Sequence, residues 1–497
     1  MPDKATVLAF DLGASTGRAL IGEWTEEGGK PKLSVTEIHR FPNDPVWVGK
    51  HLHWNILHLV QEIKNGIRIA FKQGYNPETF GIDTWGVDFG LLDRSGELLG
   101  NPYHYRDPQT EGLIEEINAA IGQEELFAQS GLQFMPFNTI YQLAAMVKAN
   151  SPKLDAAETL LLTPDLLVYL LTGQRNCEFT MATTTQLLHP ESRAWNVELM
   201  DRLQIPSRLF LPVSQPGEQI APLSAEVCRE LGVPPIRAIA VATHDTESAV
   251  VAVPASEEPF VYLVCGTWSL LGTEREEPLL TVETMQNAFS NEGGAGGTYQ
   301  LLKNIMGLWI LQECKREWDA GGMSLSYPEL VARAEEAEPF RSLIHPDDLR
   351  FYSAGGMKER IQAYCMESGQ PIPQTPGEIT RCILESLALR YRQAVEQLEE
   401  MTSASFKGLH MVGGGIQNRL LCQFTANALG RPVWAGPVEA SAIGNMLVQL
   451  ISRGLCKNLP DARKLVADSF DVSVFKPEQK ERWEQAYRTY LSIAKEA

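Results

Sequence analysis

The stretch FDLGASTGRALIG, residues 10–22, decides how the chain begins to fold. The apolar run at residues 6–10 is typical of a buried strand, which ends at Asp11, and small residues fill the chain from Gly13 to Gly17. Apolar residues return after Arg18, so the stretch predicts a strand, a tight turn and a return strand. A carboxylate followed by so bare a turn raises the question of what the turn holds.

The composition is that of an ordinary globular protein with an acidic surface. The chain has 497 residues, of which 44% are hydrophobic and 21% charged, enough for two large domains or three smaller ones. A formal charge of −19 repels phosphate backbones and anionic lipids, so we expect no nucleic-acid partner and no membrane partner. A small anion can still bind where backbone amides and a divalent cation supply local positive charge.

The cysteines and the N-terminus predict a cytoplasmic location. Eight cysteines are spread along the chain without a Cys-x-x-Cys pair, which argues against a zinc site and a disulfide framework alike. The first residues lack the charged and apolar regions of a secretory signal, and the apolar runs are too short to span a membrane. We therefore expect a protein of the cytoplasm.

The chain divides into two α/β halves that open in the same way. In the first, strands at 6–11, 18–24 and 33–41 precede a helix over 56–71 and a strand over 79–83. After a plausible linker at 254–259, residues 260–264 run into a turn at Gly266 and Thr267 and return as an apolar strand. The pattern predicts two domains, 1–248 and 256–490.

The second half continues with a helix and a glycine-rich turn. Thr375, a following proline and Glu378 predict a capped helix that extends to about Met401. A strand over 408–412 then ends at three consecutive glycines, 413–415, and a further helix is closed by Gly430. These elements predict a second α/β sheet.

The glycine turns are candidates for phosphate binding. Gly13 and Gly17 free the backbone, and the small residues between them let amide N–H groups converge on an anion, while Asp11 could hold a cation or its water shell. Taken alone, the first loop is better explained as an ordinary hairpin turn with a solvated Asp11, but a second loop of similar design, at Gly266 and Thr267, favours a triphosphate site. The chain has no P-loop motif, and no Gly-x-Gly-x-x-Gly follows the first strand, which weighs against a dinucleotide enzyme.

ATHDTESAV, residues 242–250, supplies a candidate general base. Asp245 follows an apolar strand and is flanked by His244 and Thr246, a position where backbone fixes the carboxylate and solvent is partly excluded. The alternative is that Asp245 merely caps the following helix.

GIDTWGVDFGLLD, residues 81–93, contains candidate sugar contacts. Gly86 allows a ligand to approach the backbone, Asp83 and Asp88 offer acceptors for hydroxyl groups, and Trp85 offers an apolar face. A plain strand hairpin, with its turn at 93–96, explains most of the segment, which leaves Gly86 as its best functional candidate.

Taken together, these stretches resemble the FGGY family of carbohydrate kinases, and the resemblance covers essentially the whole chain. The matching segments include DLGASTGR at 11–18, GIDTWGVDF at 81–89, HDT at 244–246, CGTWSL at 265–270, NEGG at 291–294, VGGGIQN at 412–418 and EASAIGN at 439–445. Each motif is weak alone, and their order and spacing carry the resemblance.

The resemblance implies an α/β fold of two ribonuclease-H-like domains with the actin-like ATPase architecture, and sugar and nucleotide bound in a central cleft. Within the family, the sequence is closest to members that act on L-rhamnulose. The implied reaction is ATP-dependent phosphorylation of the C1 hydroxyl of L-rhamnulose, which gives L-rhamnulose 1-phosphate and ADP, with Mg²⁺ accompanying ATP. The implied partners are a small-molecule ketose and ATP, and we expect a monomer or a homodimer.

The resemblance also implies roles for individual residues. Asp245 is the implied general base, and the implied sugar site consists of Gly86, His244, Asp245 and Thr246. The implied ATP contacts are Gly13, Ala14, Ser15, Thr16, Gly17, Arg18, Thr267, Asn304, Gln312 and Gly414. From its place at the end of the first strand, we expect Asp11 to contact the metal ion through water.

Two other functions fit the same sequence. One is an FGGY kinase that acts on L-fuculose or a pentulose. The other is a non-sugar actin-like ATPase, although the His-Asp-Thr segment and Gly86 would then have no purpose.

Overall fold

The fold was analysed in a computed structural model that describes residues 4–256 and 259–494. Of the predicted linker, Glu257 and Glu258 lie outside the described residues.

Up to residue 252, strands and helices follow one another in mixed order. The strands are β1 (Lys4–Leu12), β2 (Thr16–Glu27), β3 (Lys30–Pro42), β4 (Val46–Val48), β5 (His51–His53), β6 (Thr79–Thr84), β7 (Phe89–Leu92), β8 (Thr159–Leu162), β9 (Gln219–Pro222) and β10 (Arg237–Ile239). The helices are α1 (Ile56–Lys72), α2 (Leu113–Ile121), α3 (Gln123–Ser130), α4 (Thr139–Lys148), α5 (Pro152–Ala156), α6 (Thr163–Thr172), α7 (Phe179–Thr183), α8 (Val197–Arg202), α9 (Ala225–Leu231) and α10 (Asp245–Val251).

After residue 259, long helices alternate with short strands. The strands are β11 (Val261–Cys265), β12 (Trp268–Arg275), β13 (Ser290–Gly293), β14 (Tyr299–Met306), β15 (Leu409–Val412), β16 (Val433–Ala435) and β17 (Ser473–Phe475). The helices are α11 (Val282–Gln286), α12 (Trp309–Ala320), α13 (Tyr327–Glu336), α14 (Met357–Glu367), α15 (Pro376–Thr402), α16 (Arg419–Leu429), α17 (Ala440–Ser452), α18 (Leu459–Ser469) and α19 (Lys480–Ala494).

Two mixed sheets organise these elements. The first has the order β3-β2-β1-β6-β10-β9, in which β1 is antiparallel to β2 and parallel to β6. The second has the order β13-β14-β12-β11-β15-β16-β17, in which β11 is antiparallel to β12 and parallel to β15. In both sheets, therefore, a central strand is followed by an antiparallel return strand and has a parallel neighbour on its other side.

The central strand β1 is buried beyond its first residue, because apolar side chains cover both faces of the sheet at this position. Helix α1 packs on one face through an apolar stripe that includes Ile56, Leu59, Ile63 and Ile67, and the side chain of Asn55 caps its first turn. This packing fixes the end of β1, where Asp11 lies.

Most of the predicted elements are confirmed. The strands at 6–11, 18–24, 33–41 and 79–83, the helix over 56–71 and both opening hairpins are present. Helix α15 has the predicted capping box of Thr375 and Glu378, and α16 ends at Gly430 in a left-handed conformation. The segment 81–92 is instead two strands, because β6 belongs to the first large sheet while β7 pairs with β8 in a small one.

The chain forms two compact units. The first comprises 1–252, 274–301 and 440–469, and the second comprises 253–273, 302–439 and 470–497. Helix α17 belongs to the first unit because it packs against β1, β6 and α10. The boundaries of these units differ from those of the predicted domains, 1–248 and 256–490. Each predicted domain is one continuous stretch of chain, whereas each unit combines three separate segments.

Candidate active site

The turn between β1 and β2 is held in place by hydrogen bonds. Within the turn, the backbone N–H of Gly13 donates to the carbonyl of Thr16 at 2.9 Å. Asn43, which directly follows β3, donates from its side chain to the carbonyl of Gly13 at 2.9 Å and from its backbone to that of Ser15 at 3.0 Å. The side chains of Ser15 and Thr16 remain exposed. The predicted phosphate loop is therefore a fixed turn that presents hydroxyl groups to solvent.

Gly17 is required for a reason other than the predicted one. Neither Gly13 nor Gly17 has a positive φ, so the expectation that they adopt conformations closed to other residues is wrong. A Cβ atom on Gly17 would instead overlap the ring of Phe41 and lie 2.9 Å from Leu12 Cδ2. Gly17 therefore provides space for the ring of Phe41. The backbone conformation of the turn does not require glycine at either position.

Three carboxylates meet at the ends of neighbouring strands in this unit. Asp11 pairs in register with Arg18 across the hairpin, and the guanidinium of Arg18 contacts its carboxylate. On the other side Asp11 is in register with Asp83 of β6, whose Oδ2 accepts a hydrogen bond of 2.6 Å from Asn445 Nδ2 on α17. Burial, together with the negative charges of Asp11 and Asp245, raises the pKa of Asp83 well above its usual value. These carboxylates form a strongly negative environment.

The His-Asp-Thr segment lies directly beside the end of β6. His244 forms a parallel bridge with Thr84, and the N–H of Thr84 donates to the carbonyl of Thr243 at 2.9 Å. Glu178, before α7, accepts hydrogen bonds from the N–H and hydroxyl of Thr243 at 3.2 and 2.5 Å. The hydroxyl of Thr180 accepts from the N–H of His244 at 3.2 Å. The backbone around the predicted base is thus fixed by groups from two other segments.

Asp245, the predicted general base, has a carboxylate that a ligand can reach. It is the first residue of α10. The N-cap position is occupied by His244, whose side chain makes no capping hydrogen bond, so Asp245 is not the capping residue of the helix. Its side chain is 29% exposed, enough for a ligand to reach the carboxylate. Burial and the charge of Asp11 raise the pKa of Asp245 to about 6, while His244 lowers it. The carboxylate is therefore mostly ionised at neutral pH.

His244 lies between two acids. Its Nε2 is 3.7 Å from Asp245 Oδ1, and its Nδ1 is 3.2 Å from Glu292 Oε2 of β13, without the alignment of a hydrogen bond. Burial opposes the positive charge of the imidazolium, but contact with Glu292 and the charge of Asp245 outweigh it, so the pKa of His244 is raised.

Gly86 lies in a short break between β6 and β7, and its neighbours have structural roles. Trp85 stacks on Trp54 with ring centroids 3.9 Å apart, so the apolar face predicted for a sugar is covered. Asp88 Oδ2 accepts from the indole N–H groups of Trp54 and Trp85 at 2.5 and 2.9 Å, and Gln142 donates to Oδ1 at 2.8 Å. Burial raises the pKa of Asp88 to about 7, against the effect of these donors.

Asp83, Trp85 and Asp88 are consequently not free contacts for a sugar, since all three are buried within the protein. Gly86 itself is half-buried and lies two residues beyond Thr84, the partner of His244. Its location keeps it a candidate beside the His-Asp-Thr segment.

The second unit gathers several of the predicted nucleotide contacts around the β11–β12 turn. The N–H of Gly266 donates to the carbonyl of Trp268 at 2.9 Å, and the hydroxyl of Thr267 donates to the side chain of Gln312 at 3.3 Å. Helix α12 begins at this turn, where the N–H of Trp309 donates to the carbonyl of Thr267 at 3.1 Å. Asn304 lies five residues before the start of α12 and is half-buried on β14.

The triple glycine after β15 packs against the end of β11. Gly413 has a φ of 89°, a conformation that favours glycine. A Cβ atom on Gly415 would lie 2.7 Å from the carbonyl oxygen of Cys265 and would overlap its sulfur. Gly414, by contrast, is exposed, and a Cβ atom there would meet no atom within 4 Å. Gly413 and Gly415 thus form the turn, which leaves Gly414 accessible to a ligand.

Comparison with known proteins identifies the family to which these sites belong. Residues 6–252 match the N-terminal domain of the FGGY family of carbohydrate kinases, and residues 261–453 match its C-terminal domain. The chain is a member of this family. As an FGGY carbohydrate kinase it transfers a phosphoryl group to an alcohol group of a sugar, which decides against the non-sugar ATPase.

Full-length relatives support the same assignment. The rhamnulokinase of Bacteroides thetaiotaomicron is 43% identical over 484 residues, which cover 97% of this FGGY kinase and 98% of the relative. The rhamnulokinase of Bacillus subtilis is 38% identical over 474 residues, covering 95% and 96% of the two chains.

Solved structures of sugar kinases have the same fold. A ligand-bound xylulose kinase from Lactobacillus acidophilus has a TM-score of 0.81 at 15% identity, covering 98% of this chain and 97% of the other. A gluconate kinase from the same organism has a TM-score of 0.80 at 16% identity, covering 99% and 97%. The predicted α/β fold with actin-like ATPase architecture is confirmed. In the described residues, no helix combines the length and the apolar character that crossing a membrane requires.

Sequence reasoning missed the groups that surround the His-Asp-Thr segment. Glu178, Glu247 and Glu292 are all buried in this FGGY kinase. Glu247 follows Asp245 by only two residues, and its place after a candidate base was a usable signal. Glu178 and Glu292 are 66 and 48 residues away from His244 along the chain, and only the fold brings them near.

Proposed function

We propose that this FGGY kinase phosphorylates the C1 hydroxyl of L-rhamnulose with Mg²⁺-ATP, giving L-rhamnulose 1-phosphate and ADP. The observation that carries the proposal is the identity of 38–43% with proteins named rhamnulokinase over nearly the entire chain. The sugar and the hydroxyl group are inferred from those relatives, and the geometry of the first unit supplies a base suited to the chemistry.

Asp245 acts as the general base in this proposal. Its exposed carboxylate accepts the C1 hydroxyl proton as that oxygen attacks the γ-phosphorus, the bond from this phosphorus to ADP breaks, and ADP leaves. Glu178 and Thr180 accept hydrogen bonds from Thr243 and from the N–H of His244, directly before the base, so that the carboxylate keeps its position. Gly86, His244 and Thr246 are proposed to contact the sugar.

The remaining predicted residues are proposed to bind ATP. Residues 13–18, at the β1–β2 turn, face the transferred phosphoryl group. The second unit supplies four further nucleotide contacts, which are Thr267, Asn304, Gln312 and Gly414. The guanidinium of Arg18 supplies positive charge at the turn, and it also contacts the carboxylate of Asp11. Both turns offer backbone and hydroxyl donors, which suit a phosphate chain.

The carboxylates at the strand ends fit a magnesium ion. Asp11 and Asp83 are hard oxygen donors, and Asp83 Oδ1 is buried with no hydrogen-bond partner among the described residues. We propose that Asp11 holds Mg²⁺ through water. When bound, this ion neutralises charge on the phosphates.

The test is ADP release by the purified protein with Mg²⁺-ATP, without sugar and with L-rhamnulose, L-fuculose, L-xylulose, D-xylulose or glycerol. We expect the highest kcat/KM with L-rhamnulose. A higher value with L-fuculose or a xylulose would overturn the substrate and keep the family's reaction. Nuclear magnetic resonance of the product identifies the phosphorylated carbon, and a phosphate on any carbon other than C1 contradicts the proposal.

A further inference from the structure

Beside His244 lie two buried acids, Glu247 and Glu292, that the proposed reaction does not use. Glu247 lies on α10, three residues after His244, and is 1% exposed. Glu292, on β13, is 5% exposed, and His244 itself is 7% exposed. All three side chains belong to the first compact unit.

The other acids near this group are already satisfied by the protein. Glu178 accepts hydrogen bonds from Thr180 and Thr243. Glu274 pairs with Arg463 at 2.7 Å and accepts from Gln300 at 3.3 Å. These two carboxylates therefore need no further ligand, and they place negative charge around their neighbours.

Glu247, Glu292 and His244 retain unused ligand atoms. Among the described residues, neither oxygen of Glu247 has a hydrogen-bond partner, while Glu292 Oε2 and His244 Nδ1 contact each other at 3.2 Å without the alignment of a hydrogen bond. A buried carboxylate without partners costs several kcal/mol, whereas paired or metal-bound carboxylates are tolerated. With the imidazole deprotonated, as metal binding requires, two carboxylates and the imidazole carry a charge of −2, which one divalent cation neutralises.

These atoms lie close enough together to share one small cation. One ligand atom from each of His244, Glu247 and Glu292 can be chosen so that all lie within 4.8 Å of one another. His244 Nδ1 and Glu292 Oε2 are 3.2 Å apart. Zinc bonds of about 2.0–2.2 Å place tetrahedral ligands roughly 3.3–3.6 Å apart, close to this separation.

We propose that His244, Glu247 and Glu292 bind a divalent transition-metal ion of the zinc type, at a site distinct from that of the Mg²⁺ that accompanies ATP. An imidazole with two carboxylates is a donor set that zinc accepts, while Mg²⁺ prefers oxygen alone. The cysteine spacing argued against a zinc site, but this one uses no cysteine. Three protein ligands leave the fourth position open to water.

The ion would orient the proposed sugar-site histidine. When Nδ1 of His244 binds the metal, its Nε2 carries the proton and faces Asp245 Oδ1, 3.7 Å away. The imidazole is then a fixed hydrogen-bond donor beside the proposed base. Glu247 and Glu292 are positioning residues in this arrangement, since they act through His244 and the ion.

Calorimetric titration tests the site directly. The full-length protein is dialysed against EDTA, returned to buffer containing millimolar Mg²⁺, and titrated with Zn²⁺. We expect one tight site in the wild type, and Glu247→Gln should weaken its affinity by about 100-fold or more, beyond the 10–100-fold typical of losing an outer-shell partner. Glu283→Gln, which changes an exposed glutamate of α11, serves as the matched control and should bind as the wild type does.

Cobalt gives a second readout of the same ligands. Co²⁺ bound at this site should show the strong visible absorption of a four-coordinate ion, and Zn²⁺ should displace it. Glu292→Gln repeats the comparison if Glu247→Gln does not fold, as judged by circular dichroism. Equal tight binding by wild type and both variants, or no tight site in the wild type, would overturn the proposal. Neither result depends on which sugar the kinase accepts.

Discussion

In the first unit Asp11, which pairs with Arg18, lies one residue before the end of β1, while in the second β11 ends at Cys265, a buried thiol whose pKa burial raises to about 12. Both strands continue into a turn closed by one short backbone hydrogen bond, from Gly13 to Thr16 and from Gly266 to Trp268. The two hairpins thus share a backbone plan and differ in the chemistry at the strand end.

The difference shows how one plan serves two tasks. At the first hairpin, Asp11, Asp83 and Asp245 lie near enough for their charges to interact, so negative charge is concentrated there, beside the proposed base. At the second, an uncharged strand end lets the triple glycine pack directly on Cys265. Substitutions of the carboxylates at the first should therefore change turnover, and those at the second should change stability or nucleotide affinity.

The largest effect is expected for Asp245→Asn. The amide cannot accept the proton of the sugar hydroxyl, so kcat should fall by about 10²–10⁴-fold, the usual contribution of a general base. The KM for ATP should change little, because the nucleotide contacts are proposed elsewhere. Steady-state ADP release measures both constants. Asp201→Asn, on the exposed face of α8, is the control, and a kcat for Asp245→Asn equal to that of this control would refute the assignment.

Gly415→Ala should have the largest effect on stability. The added Cβ atom meets the carbonyl oxygen and sulfur of Cys265, and forcing an extra group into such a packed position costs about 1–3 kcal/mol. Urea unfolding measures the loss. The neighbouring Gly414→Ala is a matched control with open space around its Cβ atom, so its free energy of unfolding should equal that of the wild type.

The same pair of variants separates packing from binding. If Gly414 contacts the nucleotide, Gly414→Ala raises the KM for ATP while stability is unchanged. Equal destabilisation by both glycine variants would contradict the inference that Gly415 is tightly packed and Gly414 is not.

Gly17→Ala tests the equivalent question in the first hairpin. Its Cβ atom would overlap the buried ring of Phe41, which must shift, so we expect a loss of about 1–2 kcal/mol. Gly13→Ala, whose Cβ atom meets only the carbonyl oxygen of Thr16 at an ordinary 3.4 Å, should fold as the wild type does. Partial recovery of stability in Gly17→Ala with Phe41→Leu, measured by urea unfolding, would confirm the steric cause.

Local sequence patterns predicted the hairpins because a strand, its turn and its return are contiguous. The capping box of Thr375 and Glu378 was predictable for the same reason, since its groups are three residues apart. The apolar face of Trp85, one candidate for a sugar contact, is covered by Trp54, which lies far earlier in the chain. The contact between His244 and Glu292 likewise depends on folding. Side-chain surroundings that arise from distant segments leave no local pattern to read.

The smallest effect is expected for Thr267→Val in the second hairpin. The substitution removes a hydroxyl that donates to Gln312 at 3.3 Å, a long and partly exposed hydrogen bond, so stability should fall by at most about 1 kcal/mol. Because both residues are proposed nucleotide contacts, the KM for ATP should rise by about two- to tenfold while kcat stays near that of the wild type.

Thr267→Ser keeps the hydroxyl and should restore the KM for ATP. This outcome would show that a single hydroxyl donor accounts for the effect of the second turn on ATP binding. The second turn would then work without the charged residues found at the first turn. A fall in kcat for Thr267→Val, comparable with that for Asp245→Asn, would instead mean that the second turn stabilises the transferred phosphoryl group. The two hairpins would then share a chemical task as well as a backbone plan, and the uncharged strand end at Cys265 would have to be explained by packing alone.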